Sequence, residues 1–356
     1  MTATANDSPT SLPKRSWWAV LKRTAKEFAG DDLPDRAAAL TYYGVLSLFP
    51  ALLLLVSVLG FVGESATRTL LDGVKKLAPG PTREILGNAV TDLQGAGGTG
   101  GVLAIFAFAG ALWSASGYVA AFMRAANSVY DLPEGRPIWK LTPLRIGLTV
   151  LLMTLAALSA TIVVFTGPLA EEVGDWIGLG EQAVQVWDIA KWPVLILLVV
   201  LMIALLYWAA PNVRGRGLRW ISPGSFLAVV LWLAASAGFA LYVANFASYN
   251  RTYGALAGPI VFLAWLWLTN LAILLGLEFD AELARARAIN DGHDEDDEPY
   301  VEPRDTRAWP RQLRREAAER KEAEEAEARE AEAADDGDLA ASDRPGLRKA
   351  EPGKNA

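Results

Sequence analysis

Six stretches between Ala37 and Phe279 are long, nearly unbroken runs of apolar side chains, and nothing else in the chain restricts its fold so severely. A hydrocarbon core of about 30 Å is crossed by roughly 20 residues of helix. Buried helices of soluble proteins are rarely this long and uninterrupted. Spanning helices are therefore expected over about 37–62, 101–123, 143–167, 192–210, 222–247 and 254–279. The fold class is all-α: a polytopic membrane bundle of about six transmembrane helices with a charged C-terminal tail.

Apolar residues make up 52% of the chain and charged ones 21%, so the two kinds must be segregated along it. From Asn290 onward there are 12 Lys/Arg against 21 Asp/Glu, which leaves 21 against 19 before it. The acidity thus belongs to the tail, and the membrane part is slightly basic. The start carries Asp7, Lys14, Arg15, Lys22 and Lys26, and the first apolar run comes too late and is too long for a cleaved signal. The first span is expected to remain as an anchor.

Residues 1–13 read as a disordered start and 14–30 as a basic interfacial helix. In that helix Trp17, Leu21, Ala25 and Phe28 recur at helical spacing among Lys14, Arg15, Lys22, Arg23 and Lys26. A solvated helix is the alternative. The membrane domain is placed at 31–283 and an acidic, partly disordered cytoplasmic tail at 284–356.

Loop charges orient the bundle. Arg124, Arg136 and Lys140 follow span two, and Arg214, Arg216 and Arg219 follow span four, whereas the loop after span three carries Glu171, Glu172, Asp175, Glu181 and Asp188 against Lys191. The positive-inside rule then puts both termini in the cytoplasm. In the first outside loop, residues 70–77 and 85–93 repeat at helical spacing on either side of Pro79-Gly80-Pro81, predicting two amphipathic surface helices.

No cysteine and one histidine, His293, remove thiol, cysteine–zinc and histidine-triad chemistry from consideration. No catalytic residue, metal site or cofactor is assigned. Gly95–Gly101 is glycine-rich but lacks the lysine of a phosphate loop. Ionisable groups at bilayer depth are costly and so point to function or pairing. Arg36 opens span one and Glu278 closes span six, which makes them a candidate structural pair; separate snorkelling is the alternative. Pro50 frees a carbonyl within span one and is a candidate hinge or a packing feature. The polar connection Ser248–Gly254, with Asn270 in span six, supplies candidate substrate-path residues: Asn250, Thr252, Tyr253 and Asn270. Interhelical hydrogen bonding accounts for them equally.

Arg36–Tyr43 with Ser47–Pro50, Asn127–Arg136, Tyr207–Asn212, Pro223-Gly224, Ser248–Gly254 and Leu275–Glu278 together resemble the YihY/BrkB family of bacterial inner-membrane proteins, formerly labelled ribonuclease BN. The likeness covers about Trp17 to Leu283. It implies a six-helix inner-membrane protein linked to envelope integrity and export of lipid or another envelope component. Metal-dependent RNA hydrolysis needs clustered carboxylates or histidines and a basic phosphate surface, and the residues supply neither. The expected function is transport or translocation of lipid or an envelope component, with membrane lipids as partners and no nucleic acid. A scaffold that recruits envelope-synthesis proteins through the tail is the alternative.

Overall fold

The computed structural model describes residues 14–62, 100–164, 181–214, 222–245, 256–295 and 299–320, with 322, 323, 326 and 329. Its elements are α1 (Lys14–Gly30), α2 (Leu33–Val62), α3 (Gly100–Val129), α4 (Ile138–Val164), α5 (Glu181–Ala209), α6 (Pro223–Asn245) and α7 (Ala257–Asn290). The six expected spans fall on α2 to α7 in order. The two surface helices expected in the first outside loop lie outside the described residues.

Prolines set several helix starts. Pro34, Pro223 and Pro259 occupy first turns, where their missing N–H costs no hydrogen bond. Asp35 adds negative charge to the first turn of α2, where the helix dipole favours it.

Residues 138–163 (α4), 189–209 (α5) and 223–243 (α6), and the whole of α7, are long and apolar enough to cross a membrane. The outward faces of the bundle are apolar: Ile105, Phe106 and Trp113 on α3, Leu158 and Val163 on α4, Leu197 on α5 and Leu241 on α6 are exposed. Polar residues turn inward instead, with Ser116, Thr149, Ser225 and Asn270 all buried. That distribution inverts the one found in soluble proteins and suits a lipid surround. Exposed Trp192 and Trp208 stand 16 residues apart on α5, about 24 Å along its axis, at the spacing of two interfacial aromatic belts. The fold is an all-α membrane bundle.

Packing is cyclic. Each helix from α2 to α7 packs on its chain neighbour, and α7 returns to pack on α2, with a further contact between α7 and α3. The closest approach is between α6 and α7. A Cβ on Gly224 would collide with the Gly276 carbonyl, and one on Gly276 would lie 2.6 Å from Ala228 Cβ and 2.7 Å from the Tyr207 hydroxyl. Small residues permit this approach where hydrophobicity cannot drive helices together. α1 lies across the end of α7, burying Val20 with Phe279 and Leu283. Its Trp18 and Leu21 stay exposed, as on an interfacial helix.

The segment after α7 returns to the bundle. The helix itself continues to Asn290, and Val213 and Pro303 form an antiparallel bridge. Arg214 N donates to Glu302 O (2.7 Å) and Arg304 N to Asn212 O (2.7 Å), so residues 302–305 are stitched to the α5–α6 link. Thr306–Ala356 forms a separate unit, helical over 311–320.

Gly276→Val should lower the thermal midpoint of the detergent-solubilised protein sharply, since overpacking costs about 1–3 kcal/mol or more against a backbone neighbour. Gly110→Ala, where an added Cβ meets nothing within 4 Å, should leave it unchanged or raised. Equal melting of both variants would remove the α6–α7 contact as the determinant.

Candidate functional site

The six helices surround a partly open cavity of about 440 Å³, and every one of them lines it. Ser47 comes from α2, Tyr118 from α3, Thr149 from α4, Met202 from α5, Trp232 from α6 and Thr269 from α7. The volume lies within the range of small-molecule sites. Most of the wall is Leu, Val, Ile, Met and Ala.

The polar atoms of the wall are nearly all engaged. Ser47 Oγ donates to Gly44 O (2.7 Å), Thr149 Oγ1 to Arg145 O (2.7 Å) and Thr269 Oγ1 to Trp265 O (2.9 Å), each within its own helix. Trp265 Nε1 donates to Ser236 Oγ (3.2 Å). Trp232 Nε1 is buried and has no hydrogen-bond partner. The cavity therefore offers an almost wholly apolar wall, an arrangement suited to a hydrocarbon chain.

Behind the wall lies a hydrogen-bonded layer. Tyr118 OH donates to Asn270 Oδ1 (2.8 Å), Asn270 Nδ2 donates to Thr41 Oγ1 (3.1 Å), and Thr41 Oγ1 donates to Ala37 O (2.8 Å). Asn270, expected as a path residue, does not line the cavity and instead ties α2, α3 and α7 together. Asn250, Thr252 and Tyr253 lie outside the described residues. α2 runs helically through Pro50, the hinge candidate.

Arg36 and Glu278 meet at the same corner of the fold without pairing with each other. Arg36 Nε donates to Asp31 O (2.6 Å) and its Nη2 to Ser128 Oγ (2.7 Å), which fastens the α1–α2 corner to the end of α3. Glu278, 2% exposed, is buried at the end of α7 nearest Asp31. The reason is the corner itself: Asp32 adopts a left-handed conformation (φ 51°) that lets α1 turn straight into α2. Spacing along the sequence does not reveal such a turn.

A second polar cluster joins the α3–α4 loop to the α5–α6 link. Arg136, 4% exposed, donates to both carboxylate oxygens of Glu134 (2.7 and 2.6 Å) and to Ala209 O (3.1 Å) and Ala210 O (2.7 Å). Asn127 Nδ2 donates to Glu134 Oε2 (2.9 Å), and Asn212 N to Asn127 Oδ1 (2.7 Å). Burial pushes the Glu134 carboxyl up, but hydrogen bonds from the Arg136 side chain and backbone outweigh it and hold the group below the usual range. Among the described residues no group of three or more Asp, Glu or His side chains could hold a metal ion.

Sequence reasoning missed Tyr118, Thr149 and Trp232. A signal was available for the last: tryptophan gathers at membrane interfaces, whereas Trp232 stands near the middle of its span.

A closed bundle of apolar-faced helices around an inner cavity defines an integral membrane protein. The virulence factor BrkB family profile matches residues 24–300, and the chain belongs to that family. It is 29% identical over 271 residues to a putative ribonuclease-like protein, YfkH, of Bacillus subtilis (strain 168), covering 76% of this chain and 97% of that one. It is also 29% identical over 273 residues to a UPF0761 membrane protein of Xanthomonas oryzae pv. oryzae (strain PXO99A), covering 74% of this chain and 60% of that protein. A UPF0761 membrane protein of Alkalilimnicola ehrlichii is 45% identical over 94 residues, 25% of this chain and 21% of its own length. No solved structure matches the chain.

Arg136→Met should destabilise the fold by about 1–3 kcal/mol, because it strands a part-buried carboxylate and two helix-end carbonyls. Glu134 is held below its ordinary range, so its contribution is present above that range and lost as pH falls. Melting curves across acid pH should show this loss in the parent and a flatter acid limb in Arg136→Met. Matching acid limbs would contradict the assignment.

Proposed function

We propose that the chain carries a lipid, or another envelope component with an apolar chain, across the bacterial inner membrane, with both termini in the cytoplasm. The cavity lined by all six helices carries this reading. Its apolar wall suits a hydrocarbon tail. The basic loops after spans two and four favour the orientation.

A second reading, a scaffold for envelope-synthesis partners, draws on the stitching of residues 302–305 to the α5–α6 link, which fixes where the tail begins. A ribonuclease reading rests on a relative's printed name and has no gathered metal-binding residues behind it among those described. The protein is therefore proposed to act without enzymatic chemistry.

Purified protein in proteoliposomes should move labelled phospholipid between leaflets faster than empty liposomes. Ala115→Trp, which fills the cavity from α3, should cut that rate about tenfold or more while the variant still elutes as folded protein. No movement above empty liposomes, under gradients of either sign, would overturn the carrier reading and favour the scaffold.

A further inference from the structure

Arg145 stands inside the apolar length of α4 without a counter-charge. Exposed Ile138 and Trp139 mark where the helix enters the membrane, and Arg145 lies six residues beyond Trp139, about 9 Å deeper. Its side chain is half-buried, and its Nε is fully buried with no hydrogen-bond partner. Other arginines packed into the bundle are accounted for: Arg23 by Glu282, Arg36 by Ser128, Arg136 by Glu134 and Arg304 by Val213 O. Among the described residues no carboxylate pairs with Arg145.

Helical spacing puts Arg145 on the cavity side of α4. Positions 145, 149, 152, 153 and 156 recur at i, i+4, i+7, i+8 and i+11, which is a single stripe, and the last four, Thr149, Leu152, Met153 and Ala156, line the cavity. Thr149 Oγ1 donates to Arg145 O (2.7 Å), and Thr149 and its neighbour Leu148 are buried. Arg145 is therefore one turn from the wall, toward the start of α4, and long helical side chains lean further in that direction. That start lies at the α1 end of the bundle, because Arg36 of the α1–α2 corner bonds Ser128 at the end of α3. Arg124 makes the contrast: it is exposed on α3 and set over the Tyr43 ring (5.9 Å), free to reach the interface from outside the bundle.

A guanidinium within an apolar span is costly, and a neutral side chain would serve the helix as well, so its presence is explained by something that it binds. Its planar fork matches phosphate oxygens two at a time. A phospholipid keeps its phosphate at the edge of the hydrocarbon and sends its chains toward the midplane, and α4 repeats that order. Arg145 comes first, and the residues of the cavity wall follow from about 6 to 17 Å deeper, against a half-core of about 15 Å.

We infer that Arg145 binds the phosphate of a phospholipid whose acyl chains occupy the cavity. The inference rests on the carrier reading and names its substrate class, a phosphodiester lipid held by its headgroup at the α1 end of the bundle. A diacylglycerol, which has the same chains and no phosphate, is held by the wall alone.

Native mass spectrometry of the full chain in detergent measures bound lipid directly. The parent should hold dioleoyl-phosphatidylglycerol more tightly than dioleoylglycerol. Arg145→Gln should weaken phosphatidylglycerol binding about tenfold and leave dioleoylglycerol unchanged. Arg145→Lys, which keeps the charge and loses the fork, should fall between, and it decides the matter if Arg145→Gln does not fold. Ala115→Trp should weaken both lipids and Arg124→Gln neither. Phosphatidylglycerol binding that survives Arg145→Gln, or that Arg124→Gln weakens equally, would overturn the proposal. So would displacement by millimolar glycerol phosphate to the same extent in the parent and in Ala115→Trp, which would assign Arg145 to a soluble phosphate. The two readings fail separately, because the readout is binding. Lipid held through Arg145 but not moved between leaflets refutes the carrier alone, and lipid held in the cavity without regard to Arg145 refutes this site alone.

Discussion

In a hydrocarbon surround, apolar surface drives helices into the membrane but gives them no reason to adhere to one another, so association rests on close packing and buried hydrogen bonds. In this bundle those interactions converge on α7. Gly276 sits against Gly224 of α6, and the Tyr207 hydroxyl of α5 donates to Ile273 O. Asn270 reaches Thr41 of α2 and Tyr118 of α3, and Trp267 Nε1 donates to Pro34 O (3.1 Å) in the first turn of α2. Phe279 and Leu283 receive α1. The cyclic order therefore closes through one helix, and displacing α7 would disturb every neighbour.

The fold was largely legible in the sequence because membrane spans are written in hydropathy, which needs no knowledge of partners. All six spans and α1 fall on helices, with ends shifted by up to 11 residues. Partner choice was not legible in the same way. Arg36 and Glu278 both belong to the α1–α2 corner, but the left-handed Asp32 turns the chain there and Arg36 goes to Asp31 O and Ser128 instead. Asn270 looked like a path residue because a polar group in a span is conspicuous; its two hydrogen bonds show that it joins helices. The cavity could not be read at all, since it arises from a few side chains of each helix and exists only once the ring closes. The mid-span position of Trp232 is the trace it leaves in the sequence.

Polar chemistry is divided along the bundle. The cavity wall is almost entirely apolar, with its hydroxyls bonded back into their own helices. Charge is collected in two places: the corner around Asp31 and the loop cluster around Arg136. The second has a clear structural task. Arg136 donates to the carbonyls of Ala209 and Ala210, where α5 ends and its last carbonyls lack helical partners. A guanidinium there also opposes the negative end of the helix dipole. Asn212 continues the cluster by accepting from Asp305 N (3.1 Å) and donating to Asp305 O (2.8 Å), which anchors the stitched segment.

The corner around Glu278 has no comparable structural excuse. A leucine or glutamine of similar volume would fill the space without a charge to desolvate, and replacing buried ionic groups by apolar ones is often neutral or stabilising. Glu282 escapes that argument because Arg23 compensates it, and Asp280 because it caps α6. The same helix that closes the ring also carries three residues of the cavity wall, Trp265, Thr269 and Ile273. The α1–α2 corner therefore meets the bundle at the helix that closes the ring between the first and last spans.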